Sequence, residues 1–165
     1  MRVVFLDIDG VLFTRRSQQA YDRALGSGAL ESDDERVRAF EPRAVESLHV
    51  LHEAIPFAVV VSSTWRLRLS IQHLRALLGP MGHWVVDTTG PERATRAQEV
   101  SEWLAGRSAP RNLPAVVESF VILDDIDDGL SLRFPGRFVR CDPDRGFGDP
   151  GQIKQARGIL RAPLV

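Results

Sequence analysis

The stretch that decides the fold is residues 3–13, VVFLDIDGVLF, near the start of the chain. Four apolar residues run directly into Asp7-Ile8-Asp9-Gly10, and an apolar segment then resumes. A short, continuously apolar run rich in β-branched residues is typical of a buried strand. Because two uncompensated carboxylates would destabilise such a strand, its end must meet something that balances their charge. The stretch therefore predicts a strand that ends at a charged site.

The composition indicates a globular protein. Of the 165 residues, 44% are apolar and 26% are charged, which argues against overall disorder. The chain is long enough to bury its own core, and we expect one domain over residues 1–165. The net charge of −1 gives no general attraction for nucleic acid or for an acidic membrane.

The cysteine count and the apolar runs bear on the cellular compartment. Cys141 is the only cysteine, so an internal disulfide and a cysteine-based zinc cluster are excluded, and a reducing cytoplasm is compatible with this. No apolar run approaches the roughly 18 residues of a membrane span, and residues 3–6 are too few for the core of a signal peptide. We expect a cytoplasmic protein that does not bind membranes.

Apolar strands and amphipathic helices alternate along the chain. Besides residues 3–6, strands are predicted at 57–62, 84–86, 119–125 and 137–141. Helices are predicted at 42–54, 71–78, 96–106 and 152–160. This alternation indicates an α/β fold with a doubly wound parallel sheet. Residues 14–40 are polar and contain two glycines, so we expect a small flap or insertion there, with short helices near 18–25 and 34–40.

Polar residues follow three of the predicted strands. They are Asp7 and Asp9, the run Ser62-Ser63-Thr64, and the pair Asp124-Asp125. In a parallel sheet, ligands bind outside the carboxyl ends of the strands, so these groups should meet at one edge. Clustered carboxylates need a cation, and oxygen ligands of this kind suit Mg²⁺ and a phosphate that shares it. One aspartate then serves as a nucleophile towards phosphorus and a second as general acid and base.

The arrangement resembles the haloacid dehalogenase (HAD) superfamily of aspartate-nucleophile phosphohydrolases over almost the whole chain. DIDGVL is similar to the first motif of that superfamily, which implies that Asp7 is the nucleophile and Asp9 the acid and base. VVVSSTWR is similar to the second, phosphate-binding motif, with Ser62 as the best match and Ser63 as the neighbouring alternative. The resemblance implies a Rossmann-like fold with a minimal cap or none.

The acidic fourth motif of the superfamily resembles VILDDIDD in this chain. The resemblance implies Asp125 as the direct ligand of Mg²⁺, Asp124 as its support and Asp128 as a less secure third. The Asp7 carboxylate and the Asp9 backbone carbonyl complete the implied metal site. Mg²⁺ is the expected cofactor.

One motif of the resemblance is missing. The third motif normally supplies a lysine, and no lysine lies between the second and fourth motifs. Arg96 is the expected substitute, with Arg93 as its competitor; arginine keeps the charge but binds phosphate with a different geometry. Arg66 either holds a substrate phosphate or base, or pairs with a surface acid, and both alternatives stay open.

Other polar and aromatic residues have plainer interpretations. Trp65 either stacks on a base or lies in the core, the second being favoured. The remaining aromatic, cysteine and acidic residues are interpreted as core, packed or turn and cap residues: Trp84, Trp103, Cys141, Asp142, Asp144 and Asp149.

A narrower resemblance concerns the substrate. SSTWR, RAQEVSEWL and CDPDRGFG are similar to a bacterial group typified by the phosphatase-like domain of multidomain RNA repair proteins. With only a flap over the site, the implied substrate is an exposed phosphate such as a nucleic-acid end, with a nucleotide as another candidate. The alternative is a module that keeps the fold and binds Mg²⁺ and phosphate without turnover, which the missing lysine favours.

Overall fold

The computed structural model describes residues 1–26, 37–90, 95–106 and 116–164. A five-stranded sheet forms its centre, with β1 (Arg2–Leu6), β2 (Ala58–Val61), β3 (Val85–Thr88), β4 (Ser119–Asp124) and β5 (Phe138–Arg140). All the pairings are parallel, and the spatial order is β3-β2-β1-β4-β5. The predicted α/β fold with a parallel sheet is confirmed.

The helices in the described residues are α1 (Arg15–Leu25), α2 (Pro42–Ala54), α3 (Ile71–Leu77), α4 (Arg96–Leu104), α5 (Leu130–Arg133) and α6 (Pro150–Arg161), with 3₁₀ turns at Thr64–Leu67 and Gly79–Trp84. α1 begins before the predicted residue 18 because Thr14 and Ser17 form a capping box. Asp149 caps α6 in the same way, with Pro150 in the first turn. The short α5 was not predicted. Residues 34–36 of the helix predicted at 34–40 lie outside the described residues, and of the other four only residues 37 and 38 are helical.

The helices cover both faces of the sheet. On the first face, α2, α3 and α6 pack through Leu48, Leu74 and Leu160 against Leu6 and other aliphatic side chains. On the second face, α4 and α5 contribute Val100, Trp103 and Leu130 to a smaller cluster around Phe5. Since successive strand residues point to opposite faces, the continuously apolar strands fit burial on both sides.

The order of the strands places the candidate site. β1 is central and pairs with both β2 and β4, so that Leu6 lies opposite Val61 and Leu123. The chain winds outward from β1 in one direction through β2 and β3, and in the other through β4 and β5. Ligands bind at such a switch point, outside the carboxyl ends of the strands. Among the described residues, no helix is both long and apolar enough to cross a membrane.

Candidate active site

Three carboxylates meet at the carboxyl ends of β1 and β4. Asp7 follows β1 and its amide donates to the Leu123 carbonyl at 3.0 Å, which extends the strand pairing by one residue. Carboxylate oxygens of Asp7, Asp124 and Asp125 all lie within 4.8 Å of one another, the one acidic group of this kind in the described part of the chain. Asp7 and Asp124 are buried, and Asp125 is partly exposed.

The turn after β1 brings the backbone against this acidic group. Gly10 has a φ of +73°, a conformation that favours glycine. A Cβ at Gly10 would lie 2.3 Å from Cγ of Asp125, so any side chain there would displace the carboxylate. Glycine is therefore required in DIDG both by its dihedral angle and by the approach of Asp125.

Arg96 is a cation that faces Asp7 and Asp124 in the described part of the chain. Its Nε lies 3.3 Å from Oδ2 of Asp124, and its Nη2 lies 3.9 Å from Oδ1 of Asp7. Arg96 begins α4, where Thr95 caps the helix through the Gln98 amide. The competitor Arg93 lies outside the described residues.

Burial dominates the electrostatics of the group. It raises the pKa of Asp7 well above its usual value, and the neighbouring Asp124 raises it further, whereas Arg96 and a hydrogen bond from Ser63 lower it. Burial also raises the pKa of Asp124 to about 7, although Arg96 and the Ile126 amide oppose this. The pKa of Asp125 is raised by burial as well. In the described residues Arg96 and, at Asp125, Arg140 oppose the effect of burial without cancelling it, and a divalent cation among the carboxylates would stabilise their charged forms.

Asp9 has different surroundings, although it is only two residues from Asp7. Its Oδ2 accepts a hydrogen bond from Nε1 of Trp65 at 3.1 Å. Trp65 is 1% exposed and belongs to the first-face core, so the preferred core interpretation is confirmed and stacking on a base is excluded. The hydrogen bond to Asp9 was not predicted, because only the fold brings the two residues together.

Ser62 and Ser63 lie beside Asp7 at the end of β2. The Ser62 amide donates to the Leu6 carbonyl at 2.8 Å, and its buried hydroxyl has no hydrogen-bond partner in the described residues. The Ser63 hydroxyl donates to Asp7 and accepts from the Trp65 amide at 3.5 Å. The hydroxyl of Ser62 is therefore available to a ligand, whereas that of Ser63 contacts Asp7.

Arg66 is held by protein groups on every side. Its Nη2 lies 2.7 Å from Oε1 of Glu99, Nη1 donates to the Ser63 carbonyl at 2.7 Å, and Nε donates to the Gly90 carbonyl at 3.0 Å. The acid that it pairs with is not on the surface, since the Arg66 and Glu99 side chains are 3% and 5% exposed. The expectation of a surface acid was wrong. All three guanidinium nitrogens of Arg66 face protein groups, and its contact with a substrate phosphate stays a prediction.

Glu99 was not assigned a role from the sequence. A usable signal was present, because Glu99 lies on α4 between Ala97 and Val100, residues of the buried face. A glutamate buried among apolar residues needs a cationic partner. The chain supplies Arg66 and Arg96.

The remaining predicted residues lie outside the acidic group. The carboxylate of Asp128 accepts from the Arg96 amide at 2.5 Å and lies outside the acidic group, so its part as a third metal ligand stays a prediction. Trp103 is buried and donates to Asp87 at 2.6 Å. Asp142 accepts from the Asp144 amide in a turn, and Asp149 caps α6, as predicted.

The α/β fold thus places a buried acidic group at the switch point of its parallel sheet, beside an arginine and a serine hydroxyl. A family model described as the HAD domain in Swiss Army Knife RNA repair proteins matches residues 3–151. The chain belongs to this family of HAD domains. Neither the curated proteins nor the solved structures contain a match.

Proposed function

We propose that the protein is a Mg²⁺-dependent phosphohydrolase that works through an aspartyl-phosphate on Asp7. The observation that carries the proposal is the different surroundings of two carboxylates two residues apart. Asp7 lies in the acidic group beside Arg96, where a phosphate would be bound, whereas Asp9 is held outside that group by Trp65. Two carboxylates in different environments suit two roles, nucleophile and acid–base.

The reaction has two steps. An oxygen of Asp7 attacks phosphorus in line, the bond from phosphorus to the ester oxygen breaks, and Asp9 gives its proton to that leaving oxygen. A water molecule then attacks the aspartyl-phosphate while Asp9 takes a proton from it. Inorganic phosphate leaves and the Asp7 carboxylate is restored. Ser62 and Arg96 stabilise the charge on the transferring phosphoryl oxygens.

The acidic group fits Mg²⁺. Asp7 and Asp125 would hold the ion together with the backbone carbonyl of Asp9, and Asp124 would support them. Ligand oxygens of Mg²⁺ lie about 2.1 Å from the ion, and the carboxylate oxygens here lie within 4.8 Å of one another. The bound ion would supply positive charge to the carboxylates and to a phosphate. Its charge would keep Asp7 ionised in spite of the burial of that carboxylate.

The substrate is proposed to be a phosphorylated nucleic-acid end or a nucleotide. Two observations support this class. The matched family is described by its occurrence in RNA repair proteins. Residues 14–41, which lead to α2, are too few for a large cap domain that would enclose a small metabolite. We further propose that residues 1–165 act as one domain with this segment as a flap.

The test is phosphate release with Mg²⁺, comparing the wild type with Asp7→Asn. The panel contains an aryl phosphate, mononucleotides, sugar phosphates, and oligonucleotides with a 3′- or a 5′-phosphate. We expect release that depends on Mg²⁺ and falls by at least about 10³-fold in Asp7→Asn, since the nucleophile is removed. The best substrate then identifies the class.

Two results would contradict the proposal. A fully active Asp7→Asn protein that mass spectrometry shows to be free of deamidation would exclude Asp7 as the nucleophile. No release from any substrate, by a folded wild type that binds Mg²⁺ and inorganic phosphate, would favour the binding module instead.

A further inference from the structure

Three charged side chains connect the second face of the sheet with the candidate active site: Arg66 and Glu99, which are buried, and Arg96, which is 14% exposed. Glu99 contacts two arginines with its two carboxylate oxygens. Oε1 lies 2.7 Å from Nη2 of Arg66, and Oε2 lies 3.5 Å from Nη1 of Arg96. Arg96 in turn reaches Asp7 and Asp124.

Arg66 fixes this series of contacts to the backbone. Its other nitrogens donate to the carbonyls of Ser63, after β2, and Gly90, after β3. Glu99 is thereby held at one end by a side chain bound to two loops of the site. At its other end it contacts the arginine that faces Asp7. A displacement of Glu99 would release Arg96 from one of its three contacts.

Such an arrangement is not explained by stability alone. Charges this deeply buried carry a large desolvation cost, and apolar residues of similar volume are often at least as stabilising. The other α4 residues that face the sheet, Ala97, Val100 and Trp103, already supply an apolar contact. A function at the site is a better reason for the three charges.

We propose that Glu99 is a positioning residue that holds the Arg96 guanidinium beside Asp7 and Asp124. The inference deepens the proposed function and rests on it. Each of three nitrogens of Arg96 faces a different carboxylate: Nε faces Asp124, Nη1 faces Glu99 and Nη2 faces Asp7. A lysine has a single nitrogen and cannot reproduce these three contacts. Glu99 therefore matters because the residue at position 96 is an arginine.

The experiment is a double-mutant cycle with Glu99→Gln and Arg96→Lys, with kcat and KM measured for the best substrate of the wild type. Glu99→Gln keeps the shape of the side chain and removes its charge. In the wild type we expect it to lower kcat by about tenfold or more, with a smaller change in KM, because misplacing a group that acts in the transition state lowers kcat. In the Arg96→Lys background, Glu99→Gln should lower kcat much less. An equal fold-loss of kcat in both backgrounds would overturn the proposal.

Glu99→Gln leaves Arg66 without its buried charged partner and could lower kcat by misfolding. A second variant therefore tests the role of Glu99 without an unpaired charge. The double substitution Arg66→Met with Glu99→Leu removes both charges and keeps apolar volume. It should fold, as shown by urea unfolding, and still have a low kcat. A folded double variant with the kcat of the wild type would show that the pair is structural and would sink the proposal.

Asp87→Asn is the matched control. It alters another contact between the sheet and α4, the hydrogen bond of 2.6 Å from Trp103, and should leave kcat unchanged. If Asp87→Asn lowers kcat as much as Glu99→Gln does, any disturbance of α4 has the same effect and the specific role of Glu99 is wrong.

Failure of this inference can be distinguished from failure of the proposed function. If the wild type releases no phosphate from any substrate, the proposed function fails, and calorimetric titration with inorganic phosphate in the presence of Mg²⁺ then tests the positioning of Arg96. We expect Glu99→Gln to weaken phosphate binding when Arg96 is present, and to leave it unchanged in the Arg96→Lys background. Equal binding by the wild type and Glu99→Gln would overturn the inference.

Discussion

The two faces of the sheet differ in what they bury. The first face is covered by α2, α3 and α6 through aliphatic and aromatic side chains. The second face has a smaller apolar cluster under α4 and α5, and towards the site it holds the charged series Arg66, Glu99 and Arg96.

The two aspartates of DIDG are contacted by residues from different faces of the sheet. Asp7 contacts Arg96 of the second-face helix α4, whereas Asp9 is held by Trp65 of the first-face core. One strand end thus places one carboxylate among charges and the next beside an indole. The surroundings of each carboxylate are therefore set by the face of the sheet that supports it.

The largest expected effect is on the free energy of unfolding, when the same Leu→Ala substitution is made in each of the two apolar clusters. Leu48→Ala on the first face and Leu130→Ala on the second each remove a fully buried side chain. Both should lower the free energy of unfolding by about 2–5 kcal/mol. Leu48→Ala should cost more, because α5 is a four-residue helix that can move into the cavity, whereas α2 has 13 residues and packs on the larger first-face cluster. Urea unfolding of both variants measures this, and a larger cost for Leu130→Ala would break the contrast.

The next effect concerns the pH dependence of stability in the metal-free protein. The pKa of Asp124 is about 7 in the folded state and near 3.8 in the unfolded chain, so the folded state keeps a proton that the unfolded chain has lost. The free energy of unfolding should therefore fall as pH rises from about 4 to about 7, by on the order of 2 kcal/mol between pH 5 and pH 8. The raised pKa of Asp7 acts in the same direction.

Urea unfolding in EDTA at several pH values measures this dependence. Asp124→Asn should reduce it, and saturating Mg²⁺ should oppose it by stabilising the charged carboxylates. A stability that rises over this pH range without metal would show that the acidic group is not strained by burial.

The smallest expected effect separates the two indole–carboxylate hydrogen bonds. Trp65→Phe removes the donor to Asp9, and Trp103→Phe removes the donor to Asp87, so the two substitutions are chemically the same. Trp65→Phe should lower kcat by about tenfold, because a general acid loses its fixed position. Trp103→Phe should leave kcat near that of the wild type. Equal losses of kcat would show that Asp9 does not depend on Trp65.

Much of this arrangement could be predicted from the sequence. Residues 3–6, 57–62 and 119–125 are continuously apolar and end in polar residues, and this pattern predicted three central strands and the edge at which they meet. α2 was predicted at its observed bounds because its apolar positions recur at helical spacing behind Pro42. The weaker points were local, such as α5, which has only four residues and no periodic pattern.

The partners of the site residues were harder to predict. Arg66 is 33 residues from Glu99 and Trp65 is 56 residues from Asp9, and no local pattern reports such contacts. Asp128 follows the acidic motif closely, yet its left-handed backbone, with a φ of 36°, accompanies a carboxylate bonded to the Arg96 amide.

The sequence by itself determined the fold class, the order of the strands along the chain, and the polar residues at each strand end, because hydrophobic periodicity and turn chemistry are local properties. Only the tertiary structure decided which carboxylates share one group and which arginine faces them. It also decided that Glu99 contacts Arg66 and that Trp65 donates to Asp9. These contacts join residues far apart in the chain. Their electrostatics depend on burial, which exists only after the sheet and its two layers of helices have packed.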